Sequence, residues 1–254
     1  MERNYEILSF DRLESTNSEA VRHISGFTKP IWIWTKTQTR GRGRSGRNWH
    51  SGSKNFFATY LQKPNEPLRD IPLRSFLAGL ALHETLCAFT EFKHDFYLKW
   101  PNDVILSRKK VAGILLENNR QSDENYLITG FGVNLHEVPA LEDAPVRKYD
   151  PGSIAQLTGF DISSREFLDR LIQKVNKYEE VYHSDGFWRI RELWLERAFD
   201  LGKGIFFRHG KIETRGIFEG IDHNGRAIVV TPDGIRYFSA GDMFFEDSKD
   251  VVGN

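Results

Sequence analysis

Between Thr37 and Trp49 the chain reads TQTRGRGRSGRNW, and the rest of the molecule has to be arranged as a scaffold around that loop. Five basic side chains (Lys36, Arg40, Arg42, Arg44 and Arg47) lie between Thr35 and Trp49, with no acidic residue among them. Gly41, Gly43 and Gly46 are interleaved. Glycine permits positive φ and close backbone approach, and arginine offers forked donors to carboxylate and phosphate. The segment reads as a flexible cationic loop built to close over an anion. Such a loop gains little from packing on itself, so it is expected to be disordered when empty and ordered when filled. Ile31 to Thr37 and Asn55 to Gln62 are β-branched and aromatic and read as the strands on either side. Trp49 is either a core anchor, the reading that burial tendencies favour, or a flat surface for a ring-bearing ligand.

The charge of the loop is local. Lys+Arg and Asp+Glu both total 35 in 254 residues, for a formal net charge of zero. Bulk nucleic-acid binding usually leaves a basic footprint over a whole domain, so it is disfavoured. A single cysteine, Cys87, excludes an internal disulfide and is consistent with a reducing compartment. No apolar run approaches a membrane span of about 20 residues, and MERNYEILSFDR lacks the apolar core of a signal peptide. These readings place the protein in the cytoplasm.

Along the chain, Tyr5 to Phe10 reads as a strand. Thr16 and Glu19 fit a capping box that starts a helix, and a helix N-terminus attracts anions and polar ligands. Leu73 to Phe89 is the clearest helix. His83 and Cys87 sit four apart on it, but no third ligand at plausible spacing accompanies them, so a metal site is not expected. Phe96 to Trp100 and Val104 to Leu106 are short strands, and Ser107 to Lys110 is a hairpin turn. Val111 to Glu117 and Tyr126 to Leu135 follow as strands interrupted by Gly113, Gly130 and Gly132. Backbone free of side chains on neighbouring strands makes a floor on which a ligand can lie. Residues 136 to 151 read as a loop. A second capping box, Ser163 to Glu166, opens a helix to about Tyr182, and Phe187 to Phe199 forms a further one. The texture changes after Leu201: eight glycines punctuate five short β-type runs, with hairpin signals at Asn224-Gly225 and Asp233-Gly234. The expectation is an α+β chain with a mixed sheet flanked by helices over residues 1 to 200, and a small barrel over residues 201 to 254.

The blocks Ser15-Thr16-Asn17, GRGRSGRNW from Gly41, KWPND from Lys99, KVAGIL from Lys110 and GFGVNL from Gly130 resemble, in order and spacing, those of the biotin–protein ligases. The resemblance covers about residues 10 to 136. It implies a class II synthetase-like catalytic domain and an SH3-like C-terminal barrel. It also implies two half-reactions: biotin and ATP form biotinyl-5′-AMP, and a lysine of a biotin carboxyl carrier protein then takes the biotin and releases AMP. By the same resemblance Ser15, Thr16, Asn17 and Gln38 line the biotin pocket, and Gly41, Arg42, Gly43 and Arg44 order over biotin and the adenylate. Trp49, Asn102, Gly113 and Asn134 attend the nucleotide side. Lys110, with Arg44, is catalytic: it stays protonated among anions and neutralises charge as the two substrates approach. Lys99 and Asp103 rank lower, as residues that pair or cap the turn. Mg²⁺ is implied by the ATP chemistry. Only 14 residues precede Ser15, so the expected form is the short one without a DNA-binding domain; homodimerisation is left open. Lipoate–protein ligase is the sibling alternative.

Overall fold

The computed structural model describes residues 4–50, 52, 54–90, 96–138, 151–209 and 212–245. Most of the uninterpreted loop, residues 139–150, lies outside them. Seven strands form the larger sheet: β1 (Glu6–Leu13), β2 (Ile31–Gln38), β3 (Phe56–Gln62), β4 (Phe96–Lys99), β5 (Asp103–Leu106), β6 (Lys109–Gln121) and β7 (Glu124–Val133). Their order is β1-β2-β3-β7-β6-β5-β4. Strands β1 and β2 run parallel, and the other neighbours are antiparallel. The single parallel pair arises because the chain crosses over between them through α1 (Thr16–Arg22). The sheet is mixed, as the sequence leads one to expect.

Successive side chains alternate between the two faces of a strand. One face presents Trp32, Phe56, Ala58, Tyr60, Ile114, Phe131 and Val133 to a core shared with α2 (Arg74–Phe89) and α4 (Ser164–Leu195). On the opposite face Ile31, Ile33, Leu61, Tyr126 and Ile128 pack beneath Ala20 of α1 and Ile24 just beyond it. That layer covers only part of the second face. The uncovered part carries Thr59, Gly130, Gly132, Gly113 and Glu117, which register opposite one another across β3, β7 and β6 or lie two residues apart.

Two local expectations change. The first helix is capped by Ser15, not Thr16. Ser15 is extended, and its Oγ accepts the Ser18 N–H at 3.5 Å, while Glu19 turns to Arg22 and His23. The break expected between the two helices falls at Gly186, whose φ of 70° and ψ of −169° suit only glycine, so that α4 is two helical segments meeting at a kink. This element ends at Leu195 rather than Phe199. A short α3 (Ile154–Thr158) precedes it, capped by Ser153, and the Ser163–Glu166 cap of α4 forms as expected.

The smaller sheet contains β8 (Gly204–His209), β9 (Ile212–Ile221), β10 (Ala227–Thr231), β11 (Gly234–Phe238) and β12 (Asp242–Phe245), antiparallel in the order β11-β10-β9-β8-β12. Both expected glycine turns form, with Gly225 at φ 72° and Gly234 at φ 118°. No pairing joins β11 to β12 among the described residues. The inner side chains Phe207, Phe218, Val229 and Met243 belong to the same core cluster as the larger sheet. Trp100 links the two: its Nε1 donates to the Gly225 carbonyl at 3.0 Å, and its ring lies 5.6 Å from that of Phe207.

Candidate functional site

The uncovered half of the large sheet is closed from above by the loop after β2, leaving a cleft of about 850 Å³. Residues 40 and 42–48 form one wall, and Leu115, Leu116 and Glu117 form another. The loop has a defined course. Arg42 pairs with Asn48 as an antiparallel bridge. The Gly43 N–H donates to the Arg47 carbonyl at 2.7 Å, and the Trp49 N–H to the Gly41 carbonyl at 2.8 Å. Ser45 and Gly46 turn the chain with φ of 56° and 72°.

The glycines of the floor are required by space, since none of Gly113, Gly130 and Gly132 has a left-handed φ. What lies on them is protein. A Cβ at Gly132 would stand 2.6 Å from Trp49 Cε2, and one at Gly113 would stand 3.0 Å from Trp49 Cζ3. A Cβ at Gly130 would stand 2.3 Å from Asn17 Oδ1. The expected bare floor is therefore already occupied by an indole and an amide. Trp49 is half-buried on the sheet at the edge of the cleft, outside the main core.

At one end of the floor lie Ser15, Thr16 and Asn17, each under 5% exposed. Gln38, at the end of β2, points its Oε1 at the start of α1 and accepts from the Thr16 N–H at 2.8 Å and the Thr16 hydroxyl at 3.2 Å. That acceptor and Ser15 take up the Thr16 and Ser18 N–H groups, so part of the anion attraction expected of this terminus is met within the protein. The Asn17 Oδ1 accepts from the Thr59 hydroxyl at 2.6 Å, and its Nδ2 donates to Glu117 at 2.8 Å.

At the other end is a cluster of charges. Lys110 pairs with Asp103 at 2.6 Å, and its Nζ lies 5.4 Å from the centre of the Trp49 ring. Lys99 is directly opposite Asp103 in the β4–β5 ladder and is buried. Burial drives the Lys99 ammonium down to about 8 from its usual value; Lys110 pushes the same way, and Asp103 opposes both. Burial would raise the Asp103 carboxyl, but Lys110 and Lys99 overcome it and hold the group below the ordinary carboxylate range. Arg44 donates to the Asn102 Oδ1 at 3.2 Å, while the Asn102 Nδ2 donates to the Ile114 carbonyl at 2.6 Å. Burial lowers the Arg44 guanidinium, with Asp103 and Asp242 opposing. Asn134 is turned to structure: its Nδ2 donates to the Gly152 carbonyl at 3.0 Å, and the Gly152 N–H donates to the Lys110 carbonyl at 2.9 Å.

The fold thus gathers the expected residues into two groups. Ser15, Thr16, Asn17 and Gln38 make a polar cluster; Arg44, Asn102, Lys110, Gly113 and Trp49 make a cationic one. Gly41, Arg42 and Gly43 lie on the loop above. Asp103 and Lys99 belong to the cationic group more fully than their sequence rank suggests. Three other participants are absent from the motif reading: Thr59, Glu117, and Asp242 of the small sheet, which pairs with Arg47 at 3.0 Å. Glu117 alone had a signal, the two-residue period from Gly113. An arrangement of this kind can hold a carboxylate and a phosphate side by side and hide their mutual repulsion. Among the described residues no cluster of three or more His, Cys, Asp or Glu side chains forms a metal cage.

Comparison with known proteins gives two family matches: the biotin/lipoate A/B protein ligase family over residues 9–134, and the biotin protein ligase C terminal domain over residues 201–246. A biotin–[acetyl-CoA-carboxylase] ligase of Paracoccus denitrificans is 36% identical over 235 residues, covering 92% of this chain and 98% of that one. The bifunctional ligase/repressor BirA of Bacillus subtilis is 30% identical over 203 residues, 79% of this chain and 61% of that protein. Among solved structures, the biotin protein ligase of Aquifex aeolicus in complex with biotin and ATP superposes with a TM-score of 0.79 at 26% identity, covering 96% and 99% of the two chains.

Proposed function

Since the chain belongs to the biotin protein ligases, we propose that its cleft joins biotin to ATP and then passes the biotin to a lysine of a biotin carboxyl carrier protein. The observation that carries this reading is the placement of the Lys110–Asp103 pair beside Trp49, with Arg44 on Asn102, on the same sheet face as the Ser15–Gln38 cluster. A free carboxylate is a poor electrophile. In the first step a biotin carboxylate oxygen attacks the α-phosphorus, and pyrophosphate leaves with the electrons of the broken P–O bond. In the second, the carrier amine attacks the acyl carbon, loses its proton, and AMP leaves. Neither step calls for a nucleophile from the enzyme; both need charge screening and alignment.

The roles follow position. Ser15, Thr16, Asn17 and Gln38 hold the uncharged head of the acid with hydroxyl and amide groups. The Lys110 ammonium and the Arg44 guanidinium sit between the carboxylate and the α-phosphate. Trp49 offers its remaining face to the nucleotide base, and Asn102 fixes Arg44. Gly41, Arg42 and Gly43 close the loop over the intermediate. The nucleotide substrate is its magnesium complex. The nearby carboxylates Asp103 and Asp242 are both paired with cations, which suits a metal that arrives on the triphosphate. The functional division near residue 200 puts β8 to β12 in a C-terminal unit whose Asp242 borders the cleft. No helix among the described residues is long and apolar enough to cross a membrane. The single cysteine supports action in the cytoplasm.

The test is transfer of labelled biotin to a carrier-domain fragment, with adenylate followed by mass spectrometry when biotin or lipoate is supplied. Biotinyl-adenylate and carrier labelling are expected. Adenylate from lipoate and none from biotin would move the chain to the sibling activity, and salt-dependent DNA binding without biotin binding would refute both.

A further inference from the structure

Glu117 stands where the two walls of the cleft meet. It follows Gly113 and Leu115 at the two-residue period of β6 and so shares their face. Its Oε2 accepts from Asn17 Nδ2 at 2.8 Å and from Arg42 NH2 at 2.7 Å. The first donor is fixed from beneath, because Asn17 also accepts from Thr59 and lies on Gly130. The second belongs to the loop side of the cleft, and its backbone bridge to Asn48 closes the base of the Gly43–Arg47 turn. The chain of contacts Thr59–Asn17–Glu117–Arg42 therefore runs from the centre of the sheet to the loop. The neighbouring ties have different anchors: Arg40 reaches Glu14 only at 3.9 Å, and Arg47 reaches the small sheet.

We propose that Glu117 is a positioning residue whose negative charge clasps the cationic loop to the floor of the cleft through Arg42, while the same oxygen sets the orientation of the Asn17 amide. The clasp acts in the empty protein. It keeps Arg42 over the cleft before the acid arrives, so that less of the loop has to be ordered by the substrate. The kinetic consequence rests on the cleft being the biotin site; the closure of the empty loop does not.

Hydrogen exchange on the full-length empty protein, read in peptides spanning residues 41–49, tests the clasp directly. The Glu117→Gln variant keeps the shape and an acceptor for Asn17 but removes the charge. It is expected to raise exchange at Gly43, Arg47 and Trp49 about threefold, the scale of a half-exposed ion pair. Arg42→Gln should do the same, and the double variant should add nothing further. In the ligase assay Glu117→Gln should raise KM for biotin about threefold without lowering kcat, and Glu117→Asp should recover part of the exchange protection. Unchanged exchange in Glu117→Gln, or additive effects in the double variant, overturns the clasp. A fall in kcat with constant KM overturns the positioning role. If the unaltered protein takes up no biotin, the site assignment fails while the exchange result still decides the clasp.

Discussion

Replacing Gly130 by alanine tests the floor of the cleft through one methyl group. The added Cβ would stand 2.3 Å from Asn17 Oδ1, 3.0 Å from its Cγ and 3.1 Å from its Nδ2, where ordinary contact begins at 3.4 Å. Asn17 would have to withdraw by about 1 Å. It is 3% exposed and held on both sides, by Thr59 at 2.6 Å and Glu117 at 2.8 Å, so withdrawal breaks both hydrogen bonds. A neutral hydrogen bond contributes about 1 kcal/mol and a charge-assisted one about 1.5–3 kcal/mol, while loss of glycine's chain entropy returns about 0.5–1 kcal/mol. The expected net cost is about 2 kcal/mol, or a fall of roughly 4–8 °C in melting temperature for a chain of this size. Biotin affinity should fall about tenfold, because the amide no longer faces the pocket. Scanning calorimetry and titration calorimetry measure the two effects. Gly26→Ala is the control: nothing lies within 4 Å of its Cβ, so it should be neutral or gain up to about 1 kcal/mol. A Gly130→Ala protein that melts and binds biotin like the original would refute the packing argument.

Lys110→Ala should reduce adenylate formation on the order of a hundredfold, the usual loss for one transition-state donor, with near-normal adenylation by quenched-flow assay removing Lys110 from the chemistry. Arg44→Ala should release the adenylate faster, checked by intermediate retention on a spin column; an unaltered release rate counts against its place over the intermediate. Lys99 is depressed to about 8 in the folded protein, so the unfolded chain binds the proton more tightly and this residue destabilises the fold fully below pH 8. Stability should therefore rise as pH climbs from 8 towards 10.5, and Lys99→Met should remove that rise; a pH profile of denaturant melts unchanged by the substitution contradicts this. His83 is buried and its Nε2–H donates to the Phe96 carbonyl at 2.9 Å; burial lowers the imidazole to about 4, so stability should fall as pH drops from 6.5 towards 4. His83→Gln should flatten that limb of a thermal-melt profile.

The strands around the cationic loop, the glycines of β6 and β7 and the hairpins at Gly225 and Gly234 were legible because each depends on neighbours a few residues away. Side-chain alternation, turn chemistry and local flexibility are short-range properties. The same locality explains the misplaced cap, since the choice between Ser15 and Thr16 turns on one residue's φ, whereas the break at Gly186 was legible from the glycine itself. Candidate residues that lie inside motifs could be named from the sequence. The Lys99–Asp103 encounter could not, because it depends on the two being opposite each other across β4 and β5, with Lys110 brought alongside by β6.

Local residue order is enough to say which segments become strands, helices and the arginine loop, and what chemistry that loop can offer. What each charge meets is set by the folded arrangement. Arg42 finds Glu117 across 75 positions, and Arg47 finds Asp242 across 195. Trp49 and Asn17, not open space, cover the glycines of the floor. Strand order sets these encounters, and it follows from burying two opposite sheet faces at once, a requirement that no short stretch of sequence contains.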